Sequence, residues 1–132
     1  MTSACVLDAE GLSKAATNDV VVGSLLAAAL EEDMPVFVSA VTLAETLRGR
    51  PADAGVHRIL KSASVVPVTS ELGRAAGELL GATRRADTVD AIVAVTAQAV
   101  AEMLGDTYLL TSDPRDLTAL TESFEGVSVV AV

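Results

Sequence analysis

Tryptophan is absent from this chain, and tyrosine, phenylalanine, cysteine and histidine together supply only five residues. Each shortage excludes something. With 51% hydrophobic but only 2% aromatic residues, the core must be built from Ala, Val and Leu. That suits helices packed on a β-branched parallel sheet and gives no platform for stacking bases. A single cysteine, Cys5, permits no intrachain disulfide, and it lies in an apolar run where a buried, inert thiol is expected. With His57 as the only histidine, zinc sites built from Cys and His are excluded, and a Cys–His dyad would need Cys5 and His57 to meet. No apolar run approaches the roughly 20 residues of a membrane span. Met1–Ala4 carries no basic cluster of the kind that opens a signal peptide, so a cytoplasmic location is expected.

Positive charge is also scarce. Eighteen acids face nine Lys and Arg, for a net charge of −9, whereas a general nucleic-acid binder carries a basic field. A bound divalent cation would offset part of this. The stretch from Arg48 to Lys61 runs the other way, with Arg48, Arg50, Arg58 and Lys61 against Asp53 alone. It reads either as a solvated helix pair or as a rim that faces phosphate.

What the chain does have is regular alternation. Its 132 residues suit one domain, 1–132, without repeat or linker. Strands are expected at 4–7, 36–38, 65–68, 108–110 and 127–132. Helices are expected between them. Asn18 or Asp19 caps the one that Pro35 stops, Ser39 or Thr42 starts the next, and Asp53 and Ser70 cap two more. The segment from Thr88 to Leu104 is apolar almost all round, which predicts a deeply buried helix. Pro67 places the third strand near a sheet edge. The expected fold is α/β, a three-layer sandwich with a central parallel sheet of about five strands flanked by helices.

Four stretches put a carboxylate where a strand hands over to a helix or where a helix opens. They are Val6-Leu7-Asp8, Thr42-Leu43-Ala44-Glu45, Val89-Asp90-Ala91-Ile92 and Thr111-Ser112-Asp113-Pro114-Arg115-Asp116. Each acid also has a structural reading. Asp8 can cap a helix, and Glu45 stands at capping-box spacing from Thr42. Asp90 suits the macrodipole of a first turn. Asp113 before Pro114 makes an N-cap, with Asp116 at the third helical position. Capping gives no reason for all of them to meet at one edge of the sheet, where open α/β folds bind ligands. Hard cations prefer such oxygen donors, and a metal-bound water can attack a phosphodiester without a His, Cys or Ser nucleophile. Thr111 and Ser112 are candidates to bond phosphate or a metal-bound water, or to close the local turn.

At these residues the chain resembles PIN-domain proteins, in particular the VapC-type toxins of bacterial toxin–antitoxin pairs. The carriers are Val6-Leu7-Asp8, the run from Ser39 to Gly49, the run from Val89 to Ala97 and the run from Leu110 to Leu117, in that order. The resemblance spans essentially the whole chain. It implies a Mg²⁺- or Mn²⁺-dependent ribonuclease whose metal-binding acids are Asp8, Glu45, Asp90 and Asp113, with Asp116 as the less regular further acid. It also implies that Arg48 is the basic residue one turn after the second acid, that homodimers form, and that a cognate antitoxin covers the pocket. Glu10 departs from the pattern, which often has a small hydroxyl or amide residue there, and Asp87 is a further extra acid. A catalytically inactive PIN-like scaffold that binds RNA or protein is the alternative. A small haloacid-dehalogenase-like phosphatase is a third reading, from Asp8-Ala9-Glu10 and the pair Asp113 and Asp116. Against it, no Lys follows Lys61 and no segment is large enough for a cap.

Overall fold

The computed structural model describes residues 3–132. Five strands, β1 (Ala4–Leu7), β2 (Val36–Ser39), β3 (Ser64–Val66), β4 (Thr107–Thr111) and β5 (Val127–Ala131), form one sheet in the order β3-β2-β1-β4-β5. Every pairing is parallel. β1 is central and buried along its whole length, which is why it reads as an unbroken apolar run. β3 is an edge strand and ends one residue before Pro67, where the missing N–H costs no ladder bond.

Seven helices connect the strands: α1 (Ala9–Ala16), α2 (Val20–Glu31), α3 (Ala40–Thr46), α4 (Ala54–Leu60), α5 (Ser70–Thr83), α6 (Thr88–Leu104) and α7 (Pro114–Thr121). The period-two alternation of the central strands divides the core. Ala4, Val6 and Leu109 face α5, α6 and α7, among Ala94, Leu117 and Leu120. Cys5, Leu7 and Leu110 face the other layer, with Leu12 and Val56 of α1 and α4. The molecule is therefore the three-layer α/β sandwich expected, each layer closed by roughly 1.5–3 kcal/mol per fully buried large aliphatic. α6 spans the residues read from the sequence and is buried at Ala91, Val93, Ala94, Val95 and Ala97. Among the described residues no helix is long and apolar enough to cross a membrane.

Of the caps read from the sequence, two are settled between the alternatives offered and two differ. Asp19, not Asn18, caps α2, accepting the Val22 N–H at 3.0 Å. Ser39 caps α3 through the Val41 N–H, which puts Thr42 inside the helix and removes the capping box with Glu45. Thr69 rather than Ser70 caps α5. Asp53 does not cap α4 with its side chain. It turns back instead and accepts the N–H groups of Arg48, Gly49 and Arg50 at 2.9, 2.7 and 3.3 Å. Three convergent N–H groups outcompete a single cap bond, and they hold the Asp53 carboxyl below its ordinary value, the Arg48 N–H contributing most. Cys5 is buried, and burial pushes its thiol up to about 11. With His57 exposed on α4, the two form no dyad.

Candidate functional site

β1 leaves the sheet toward β2, whereas β4 leaves toward β5 on the other side, so the strand order reverses between β1 and β4. A crevice opens at the carboxyl ends of such neighbours. Asp8 follows β1 directly and lies at its lip. Its backbone N–H donates to the Leu110 carbonyl of β4 at 3.3 Å, and its Oδ1 accepts the Gly11 N–H at 2.8 Å. Asp8 thus performs the capping expected of it and is half-buried as well. Gly11 suits this approach, since a Cβ would sit a tight 3.0 Å from the Leu110 carbonyl oxygen. Burial raises the Asp8 carboxyl above its usual range and the Glu10 charge adds to this. The nearby Thr111 hydroxyl and the Gly11 N–H work the other way.

Glu45 is exposed on the last turn of α3. Its carboxyl is also raised, first by desolvation and then by the charges of Asp8, Asp87 and Glu10, with Arg48 opposing them. Asp90 in the first turn of α6 is pushed up to about 6, by burial and then by the charges of Asp87, Asp116, Asp8 and Glu45. Residues from four elements far apart in sequence therefore act on one another electrostatically. Asp8, Glu45, Asp90 and Asp116 form one mutually repelling acidic edge, joined by Glu10 and Asp87.

The other residues singled out from the sequence are placed as follows. Asp113 stands at the N-cap position of α7 but its side chain makes no cap bond, so the strongest structural reading of it does not hold. It is exposed, and it is not among the main charges acting on Asp8, Glu45 or Asp90. Asp116 is paired with Arg85 at 2.8 Å. Thr111 is 1% exposed and its hydroxyl accepts the Asp113 N–H at 3.0 Å, which makes it a positioning group for Asp8 and Asp113 and leaves it no surface for RNA. Ser112 is exposed beside it. The Arg48 guanidinium is bound to the carbonyls of Ala44 and Leu47 at 2.9 and 2.8 Å, closing the end of α3. Its charge reaches Glu45, but its geometry is that of a helix cap.

Two features were not visible in the sequence. The Thr42 hydroxyl, one turn before Glu45, is fully buried and has no hydrogen-bond partner among the described residues. The ion pair of Arg85 with Asp116 joins residues 31 apart. No local signal marks either.

The donor chemistry of the edge, carboxylate oxygen throughout, fits a hard divalent cation, and the repulsion that helps to raise Asp8, Glu45 and Asp90 is relieved by such an ion or by protons. Among the described residues, no three His, Cys, Asp or Glu side chains stand at ligand spacing. Holding one ion would require these side chains to move closer together.

No family model and no curated protein matches the sequence. Solved structures do. One is a chain in the crystal structure of VapBC2 from Rickettsia felis bound to a DNA fragment from their promoter, with a TM-score of 0.71 at 14% identity over 97% of this chain and 98% of that one. Another is a chain of a toxin–antitoxin complex from Klebsiella pneumoniae, with a TM-score of 0.68 at 18% identity over 98% of this chain and 100% of that one. The chain therefore has the fold of these toxin–antitoxin components, a PIN-like α/β sandwich.

Proposed function

We propose that this protein is a metal-dependent endoribonuclease of the toxin type, hydrolysing RNA phosphodiester bonds at the acidic edge with Mg²⁺ or Mn²⁺. The observation that carries the reading is the electrostatic coupling of Asp8, Glu45, Asp90 and Asp116 at the reversal point of a PIN-like sheet. Asp8, Glu45 and Asp90 would hold the ion, with Asp113 and Asp116 completing the set from the α7 turn. Bound there, the ion supplies a water of lowered pKa and positive charge to offset the leaving oxygen. Thr111 holds the Asp8 and Asp113 end of the site in place.

An antitoxin and a second copy of the chain are the partners proposed. The exposed apolar residues Val20, Val21, Leu25 and Leu30 on α2 supply surface for such contacts. A second reading, an inactive PIN-like scaffold, is favoured by the extra charge of Glu10 beside Asp8 and by the open spacing of the acids. The deciding experiment is cleavage of end-labelled structured RNA in Mn²⁺ or Mg²⁺, beside EDTA and Asp90→Asn controls. Discrete cuts that vanish in both controls are expected. RNA left intact by a protein that also shows no metal response would favour the scaffold.

A further inference from the structure

Beside the acidic edge, the turn between α5 and α6 closes a hollow lined by Arg84, Arg85, Asp87, Asp116 and Leu120. Two arginines in succession at this place are conspicuous in a chain with nine cations. Arg84 ends α5 in the left-handed region at φ 56°, a conformation that glycine normally supplies. Strain of this kind persists where the surroundings hold the residue in place. Its side chain makes no hydrogen bond or ion pair among the described residues, and it is exposed. Arg85 is committed only to Asp116, and that pair is 37% and 42% exposed. An ion pair so open to solvent contributes little to stability and exchanges readily. Asp116 does not need it, because an acid in the first turn of α7 is already favoured by the helix dipole.

We infer that Arg84 and Arg85 form a subsite for an RNA backbone phosphate next to the acidic edge, with the phosphate taking Arg85 from Asp116. The inference rests on the ribonuclease reading for its choice of ligand. The guanidinium fork matches phosphate oxygens bidentately, as it matches the carboxylate it now holds. Placement supports the same ligand. Asp87 lines the hollow and accepts the Asp90 N–H at 2.9 Å as the cap of α6, so a phosphate held there adjoins the acidic edge. A polyanion docking on a chain of net charge −9 needs local cationic contacts, and two successive arginines supply them here. The exchange also frees the Asp116 carboxylate when RNA arrives, linking substrate binding to completion of the acid set.

The test is binding of a fluorescent 12-nucleotide single-stranded RNA in EDTA over a salt series, with cleavage in Mn²⁺ measured separately. Arg84→Ala and Arg85→Ala are each expected to weaken binding several-fold and to reduce the slope of log Kd against log salt by about 0.7. Arg85→Lys should keep the slope and recover part of the affinity. Lys61, in the stretch offered as a phosphate-facing rim, lies where α4 leads into the amino end of β3 and so away from the carboxyl edge; Lys61→Ala should leave the slope unchanged. Slopes equal to wild type in both arginine variants, or no RNA binding by the wild type, would overturn the subsite. So would displacement of the RNA by low millimolar inorganic phosphate, which would assign the hollow to the free ion. Loss of slope in the variants, with neither cleavage nor a melting-temperature response to Mn²⁺ in the wild type, would keep the subsite and sink the ribonuclease reading instead.

Discussion

Two aspartates are displaced in opposite directions, and each makes a separate prediction. Asp90 is raised to about 6 by burial and by four neighbouring acids, against about 3.9 in an unfolded chain. A raised carboxyl binds more protons folded than unfolded, so the metal-free protein should gain stability as pH falls from 7 toward 4. Asp90→Asn removes the repelling charge. At pH 7 without metal it should be more stable than wild type, by about 1 kcal/mol once screening of this partly exposed group is allowed for. The two proteins should converge near pH 4 in thermal unfolding. Equal stability at both pH values would mean that the acids do not interact as described. Asp53 is the reverse case. Its lowered carboxyl contributes stability above about pH 3.9, which is lost as pH falls through the lower folded value. Asp53→Ala should therefore lower the melting temperature at pH 7, with the gap from wild type closing in strong acid.

At the scale of elements, the close approach of α1 and α4 depends on one missing side chain. A Cβ on Gly55 would lie 2.5 Å from the Ala16 carbonyl oxygen, a backbone atom that cannot swing aside. Gly55→Ala should cost about 1–3 kcal/mol by forcing the helices apart. Gly77 on α5 has open space around the same position, so Gly77→Ala should instead stabilise by roughly 0.5–1 kcal/mol through helix propensity alone. Denaturant unfolding of the two variants checks both signs. Like effects from both substitutions would show that the packing of α1 on α4 does not limit this position. The same approach also positions the site, because α1 carries Asp8 at its N-cap and presses Gly11 against the end of β4.

For the whole molecule, the acidic edge has an energetic consequence that a cation should reveal. A ligand that binds only the folded state stabilises it by mass action, about 2.7 kcal/mol at one hundred times its dissociation constant. For a chain of this size, saturating Mn²⁺ should raise the melting temperature by roughly 5–10 °C. Asp8→Asn and Asp90→Asn should show much less of that gain. An equal rise in wild type and both variants would place the ion elsewhere on a surface of net charge −9.

The sequence by itself determined the order and kind of nearly every element, because period, capping and proline punctuation act within a few residues. β1 and α6 have the expected ends, and the parallel sheet follows from strands alternating with helices. It also located Asp8 and Asp113 where strands give way to helices, whereas Glu45 lies on the last turn of α3 and Asp90 opens a helix that follows another helix. Competition among local partners was less legible. Ser39 displaced Thr42 as a cap, and Asp53 preferred three loop N–H groups to the helix that follows it. Tertiary structure alone decided which acids share a field, that Thr111 is buried beneath the site, and that Arg85 meets Asp116 across 31 residues. Those outcomes depend on how the layers bring distant turns together, and no pattern of local period or propensity carries that distance.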